Sequence, residues 1–219
     1  MELKNKKINF LGDSITEGVG TSAPACRFTE LIAKNYGAVC RNYGISATRI
    51  ARQQTVVSDV DRSDMDFCGR VARMDPDADI LVIFGGTNDY GHGDAPIGTM
   101  SDRTVNTFYG ALHVLYSSLI EKYPHALIVV LTPLHRCDED NPRGENRKAA
   151  DVGALSDYVH IIRQVAEYYA LPVLDLFAAS GLQPRVPTIK ELYVPDGLHP
   201  NDNGHKILAV KIAHFLETL

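Results

Sequence analysis

Phe10-Leu11-Gly12-Asp13-Ser14-Ile15-Thr16-Glu17-Gly18 reads as the carboxyl end of a strand breaking into a turn and then a helix. The apolar segment begins at Ile8, and Gly12 lets the backbone bend without a side-chain penalty. Ser14 then stands where open α/β sheets place their chemistry, with local amides free to face a substrate oxygen. Alone, Gly12-Asp13-Ser14 is also an ordinary strand-to-helix turn with a capping serine. Its meaning rests on what the rest of the chain brings to it.

Beyond this turn, Phe28, Leu31, Ile32 and Tyr36 recur at helical spacing, and Gly37 follows as a C-terminal glycine would. Ala38 to Tyr43 is predicted as a short second strand. Arg49 to Met74 is polar and irregular, with helical character expected in its later half. Ile80-Leu81-Val82-Ile83-Phe84 is a continuous apolar run, as in a parallel strand buried on both faces, and it leads into Gly85-Gly86-Thr87-Asn88-Asp89. A helix is predicted around Phe108 to Ile120, a strand at Leu127 to Leu131, a helix through Leu155 to Tyr169, a short strand at Val173-Leu174, and a closing helix with Leu208, Ile212, Phe215 and Leu216 on one face. Asp175 to Pro195 reads as a loop. This alternation calls for parallel strands, right-handed crossovers and helices on both faces, in one domain over residues 1–219. The segments 90–102, 133–150 and 176–195 are expected to shape a pocket at the strands' carboxyl ends.

Composition narrows the function. With 45% hydrophobic and 22% charged residues the chain has ordinary globular values, which argue against disorder. A net charge of −5 without a basic cluster lacks the footprint of a nucleic-acid binder. Lys4, Lys6 and Lys7 precede only a brief apolar run, which is neither a signal peptide nor a membrane span, so no membrane insertion is expected. Cys26, Cys40, Cys68 and Cys137 are widely spaced with no CxxC pair, which fits reduced thiols and a cytoplasmic location.

The last loop delivers Asp196-Gly197-Leu198-His199-Pro200-Asn201 before the final helix. A histidine is the usual base for activating a serine hydroxyl, and a carboxylate three residues upstream can hold the imidazole tautomer, so Ser14, His199 and Asp196 form a candidate triad. An attacking serine also needs donors for the oxyanion. The Ser14 amide, the Gly44 amide and the Asn88 side chain follow three successive strands and are the expected donors. Asp13 should brace the serine turn, and Asp89 the Asn88 loop.

These stretches resemble the four blocks of the SGNH hydrolases, the superfamily that includes the GDSL lipases and esterases. Gly12-Asp13-Ser14 with Thr16 and Gly18 is similar to the nucleophile block, Asn42-Tyr43-Gly44-Ile45-Ser46 to the glycine block, Gly86-Thr87-Asn88-Asp89 to the Gly-x-Asn-Asp block, and Asp196 to His199 to the Asp-x-x-His block. The resemblance implies a flavodoxin-like three-layer α/β/α sandwich with five parallel strands in the order 2-1-3-4-5. It also implies Ser14 as nucleophile, His199 as base, Asp196 as its orienter, oxyanion donors at Ser14, Gly44 and Asn88, no metal or cofactor, and an ester as the small-molecule substrate. One departure is visible: after Ser46 the family often has glycine, where this chain has Ala47.

Other chemistries are less well supplied. No serine stands in Gly-x-Ser-x-Gly, as an α/β-hydrolase elbow requires. A metal site could draw on His92 with Asp94, or on His135 with Asp138 and Asp140, but neither set has a matching partner cluster. A phosphate cradle at the first turn, or a glycan-binding member without activity, would leave Asn88 and the Asp196–His199 pair without a purpose.

Overall fold

Five short runs become parallel strands because helices cover them on both faces. The computed structural model describes residues 1–55, 65–148 and 151–219. Strand β1 (Lys7–Gly12) turns directly into the four-residue helix α1 (Ser14–Glu17), followed by α2 (Phe28–Tyr36) and β2 (Val39–Gly44). Next come α3 (Phe67–Arg70), β3 (Ile80–Phe84), α4 (Thr87–Gly91), α5 (Phe108–Lys122) and β4 (Leu127–Leu131). The chain ends through α6 (Leu155–Tyr168), β5 (Val173–Leu174), α7 (Leu176–Ala179), α8 (Pro187–Tyr193) and α9 (Asp202–Thr218). The sheet is parallel, in the order β2-β1-β3-β4-β5.

Alternate residues of each strand serve two cores. Ile8, Phe10, Val82, Val129 and Leu131 pack with Phe28 and Ile32 of α2 and Leu208, Ile212 and Leu216 of α9. Leu11, Leu81, Ile83, Ile128 and Val130 face Phe67 of α3, Leu112 and Leu115 of α5 and Val159 and Ile162 of α6. Each such side chain is fully or nearly fully buried, contributing about 1.5–3 kcal/mol. Substituting a charge at Val82 or Val129, at the middle of β3 and β4, would place an unpaired ion in this packing.

Register positions the site. Gly12 pairs with Gly44 on one side and Phe84 on the other, so β1, β2 and β3 end at one level. The segments that follow those strands therefore emerge side by side. Gly12 also permits the close packing of α1, since a Cβ there would lie 2.0 Å from Thr16 Oγ1. Asp13 caps α1 by accepting the Ile15 amide at 3.0 Å, and Asn201 caps α9 by accepting from Asn203 and Gly204. Helix α2 ends at Gly37 in the left-handed conformation, φ +68°, as the sequence suggests.

Residues 175–195 are not simply a loop but carry α7 and α8, too short to show helical periodicity. The local signals are Asp175, which accepts the Ala178 amide, and Pro187 at the first position of α8. Of the helical character expected in the later half of 49–74, the described part is α3 at Phe67–Arg70 and a 3-10 turn at Val71–Arg73, whereas 56–64 lie outside the described residues. Among the described residues no helix is long and apolar enough to cross a membrane.

Candidate active site

Ser14 opens α1, so its N–H is one of the first-turn amides without an intrahelical acceptor, and its side chain faces the last loop. Its Oγ lies 3.0 Å from His199 Nε2, across 185 residues of sequence. On the other side of the ring, His199 Nδ1 is 2.6 Å from Asp196 Oδ2. A carboxylate only accepts, so Nδ1 carries the proton and the Nε2 lone pair faces the serine hydroxyl. Asp196 Oδ1 accepts the Leu198 and His199 amides at 2.9 and 2.7 Å. Partial burial pushes its pKa up, but those amides and the His199 ring more than offset this and hold the carboxyl below its ordinary value.

Two buried carboxylates brace the neighbouring turns. Asp13 accepts the Ile15 amide, and burial lifts its pKa to about 7 against the pull of that amide and of Arg70. Asp89 accepts the Ile50 and Ala51 amides at 2.9 and 2.8 Å, tying the segment after β2 to α4. Burial raises its pKa, opposed by the same amides. The buried Arg70 guanidinium, from α3, reaches three places the sequence does not connect: Gly12 O at 3.0 Å, Tyr43 O at 2.8 Å and Thr48 Oγ1 at 3.1 Å. It links the ends of β1 and β2 to the loop carrying Thr48, whose carbonyl accepts from Asn88 Nδ2 at 3.0 Å. One Asn88 proton is used in this way, and the other is available to the cavity that Asn88 lines.

Gly44 does not take the place expected of it. Its N–H donates to Asn42 Oδ1 at 2.8 Å, and it is absent from the cavity wall. It is glycine for close approach, since a Cβ would lie 2.1 Å from the Glu17 amide nitrogen. Asn42 completes this clasp by donating to Thr16 O at 2.6 Å. The loop instead presents Ala47, which lines the cavity with Ser14, Asn88 and His199. Its φ is +62°, a left-handed conformation that costs an alanine about 1–2 kcal/mol. Among the described residues its N–H has no acceptor. The preceding Ser46 is held by Glu17, which accepts its amide at 2.6 Å and its hydroxyl. The signal in sequence was the alanine after Ser46, at the position where glycine is common.

The cavity has a volume of about 620 Å³. Arg49, Gln53 and Thr55 wall it after β2, His92 and Asp94 after α4, and Glu145 and Arg147 from the 133–148 segment. Polar heads on aliphatic stems thus dominate, with Val19, Ala47 and Leu198 the apolar contributors. None of 176–195 lines it, contrary to expectation, because that stretch folds as α7 and α8 elsewhere. The 133–148 wall docks on α4 mainly through backbone carbonyls. Glu145 donates its amide to Gly91 O at 2.8 Å, and Lys148 Nζ donates to Asp89 O and Gly93 O at 2.6 Å each. Burial depresses the Lys148 pKa to about 8. Arg136, also buried, pairs with Glu145 at 2.7 Å.

Four of the residues weighed as metal ligands, His92, Asp94, His135 and Asp140, have other partners. His92 Nδ1 meets Arg49 Nη1 at 3.2 Å, and Asp94 accepts the Gln54 and Thr55 amides at 2.7 Å each. His135 pairs with Glu139 at 2.8 Å, and Asp140 with Arg185 at 2.5 Å. His205 is buried in the core, where it accepts the Phe28 amide and stacks on its ring.

Known proteins share this architecture. A solved structure of a protein from Lactobacillus plantarum is 30% identical with a TM-score of 0.82, covering 98% of each chain. An aryl esterase of M. smegmatis matches at TM-score 0.66 and 19% identity over 98% of this chain and 99% of that one, a likeness of fold. A GDSL lipase of Mycobacterium tuberculosis is 26% identical over 140 residues, 64% of this chain and about half (51%) of that protein's length. The family model described as the GDSL-like lipase/acylhydrolase family matches residues 10–207, a span that begins in β1 and runs past His199 into α9. By that match, and with the five-stranded sheet beneath it, the chain belongs to the GDSL-like lipase/acylhydrolase family.

Proposed function

We propose that the protein is a serine ester hydrolase working through an acyl-serine intermediate on short-chain or O-acetyl esters, acetylated carbohydrates among them. The observation that carries this reading is the continuous contact from Ser14 Oγ through His199 to Asp196, at 3.0 and 2.6 Å. His199 takes the Ser14 proton at Nε2 as Oγ attacks the ester carbonyl, and Asp196 steadies the imidazolium. The Ser14 and Ala47 amides and Asn88 Nδ2 receive the oxyanion, Ala47 replacing Gly44 in that role. His199 then protonates the departing alcohol, and water repeats the cycle on the acyl-serine. The Arg49, Gln53, Glu145 and Arg147 heads on that wall support a small substrate that carries hydroxyls. The unpaired cysteines suit a cytoplasmic enzyme, acting as one domain over 1–219.

The test is hydrolysis of p-nitrophenyl esters from acetate to octanoate, with Ser14→Ala and His199→Ala beside wild type. The expected result is acetate turnover that falls with chain length and drops by about 10⁴-fold or more in both variants. A maximum at long chains would overturn the substrate class. Turnover surviving in Ser14→Ala would overturn the mechanism.

A further inference from the structure

His92 caps the carboxyl end of α4 four residues after Asn88, its amide donating to Asn88 O at 3.0 Å. Both line the cavity that holds Ser14. Arg49 Nη1 lies 3.2 Å from His92 Nδ1, and it also donates to Ala47 O at 3.1 Å. A guanidinium has no acceptor, so His92 Nδ1 must accept from it and the proton sits on Nε2. An imidazolium there would turn a second N–H against the arginine. Burial, with the Arg49 charge next in weight, depresses the His92 pKa to about 4. The ring therefore presents one fixed N–H donor and no charge across the working range of pH.

We propose that this Arg49-held imidazole is the binding site for a hydroxyl of the substrate's alcohol portion, making the protein selective for esters of sugars or other polyols. The inference rests on the short-acyl reading above, because an acetyl group fills only a small part of about 620 Å³ and leaves the remainder to the alcohol. Around that space, Arg147 and Gln53 can donate and Glu145 and Asp94 can accept, the pairing a vicinal diol uses. Arg49 is a positioning residue: it fixes the His92 tautomer, and through Ala47 O it fixes the loop beside the oxyanion.

The experiment compares kcat/KM for glucose 6-acetate and ethyl acetate, which give the same acetyl-Ser14 and differ only in the alcohol. In His92→Leu the ratio of the two falls about tenfold, the worth of one hydrogen bond. His92→Gln, which keeps an N–H donor, recovers part of it. An unchanged ratio in His92→Leu, or equal loss in Leu and Gln, overturns the proposal. A second measurement needs no turnover: in Ser14→Ala protein the His92 ring shows the Nε2–H tautomer by ¹⁵N NMR at neutral pH, and added glucose shifts that resonance. A protonated Nδ1, or a resonance that glucose leaves unmoved, overturns it as well. Wild type that cleaves neither ester while glucose still moves the resonance would sink the esterase reading and leave the polyol site standing.

Discussion

Asp196 holds His199 twice, through its backbone and through its ring. Oδ1 accepts the His199 amide at 2.7 Å while Oδ2 meets Nδ1 at 2.6 Å. The two tasks separate by mutation. Asp196→Asn keeps an oxygen for the amide but can present an N–H where the ring needs an acceptor, favouring the wrong tautomer. The expected outcome is a kcat lower by about 10²–10⁴-fold with a melting temperature near wild type. Asp196→Ala loses the turn as well and should melt earlier, so kinetics and thermal melts on both variants check the division.

Asn88→Ala removes a proposed oxyanion donor while leaving Ser14 and His199 in place. A loss of about 10²–10³-fold in kcat with little change in KM is expected, because the bond matters most once charge develops. Steady-state kinetics on p-nitrophenyl acetate reads it. A change confined to KM would assign Asn88 to ground-state binding instead.

Residues 44 and 47 should respond oppositely to exchanging alanine and glycine. Ala47→Gly relieves the φ of +62° and is expected to stabilise by about 1 kcal/mol. Gly44→Ala forces a Cβ to within 2.1 Å of the Glu17 nitrogen and should cost about 1–3 kcal/mol or more. In a chain of this size each kcal/mol is worth about 2–4 °C in thermal melts.

Asp13 gives stability a pH dependence of unusual sign for a carboxylate. Its folded pKa is about 7, against 3.8 for the unburied group, so between those values the folded state holds a proton the unfolded state has released. Stability from this group therefore falls as pH rises from about 4 to 7. Asp13→Asn still caps the Ile15 amide but cannot ionise. Its melting temperature should exceed wild type by several degrees more at pH 7 than at pH 4, as calorimetry at the two values would show.

The strands were legible where apolar runs are continuous: Ile80–Phe84, Leu127–Leu131 and Val173–Leu174 match the residues read from sequence. Ser14, Asp196 and His199 were legible because each ends or precedes a regular element, and register then sets Gly12 level with Gly44 and Phe84. Gly44 misled because glycine serves two purposes, a free amide and a close approach, and only the packing of Glu17 against it reveals the second. Arg70 and Arg49 were illegible because their partners lie at strand ends and in loops with no fixed sequence relation to them. His92 left a trace, four residues after Asn88, but a lone histidine at that spacing means nothing until a cavity is seen to include both.

The wall formed by 133–148 is fastened to α4 by carbonyls of Asp89, Gly91 and Gly93, groups every amino acid supplies. Side chains add to that docking edge, since Tyr90 donates its hydroxyl to Asn141 O and Arg136 reaches Thr87 O and Oγ1. Of the two residues that face the cavity from this wall, Glu145 is tied to the buried Arg136 while Arg147 carries an exposed head, so Arg147 is the part most open to exchange. A different segment that keeps the lysine, the amide and the Arg136 contacts could be seated there without moving Ser14, Asn88 or His199. That makes the wall the natural place to graft a new substrate preference onto an unchanged reaction.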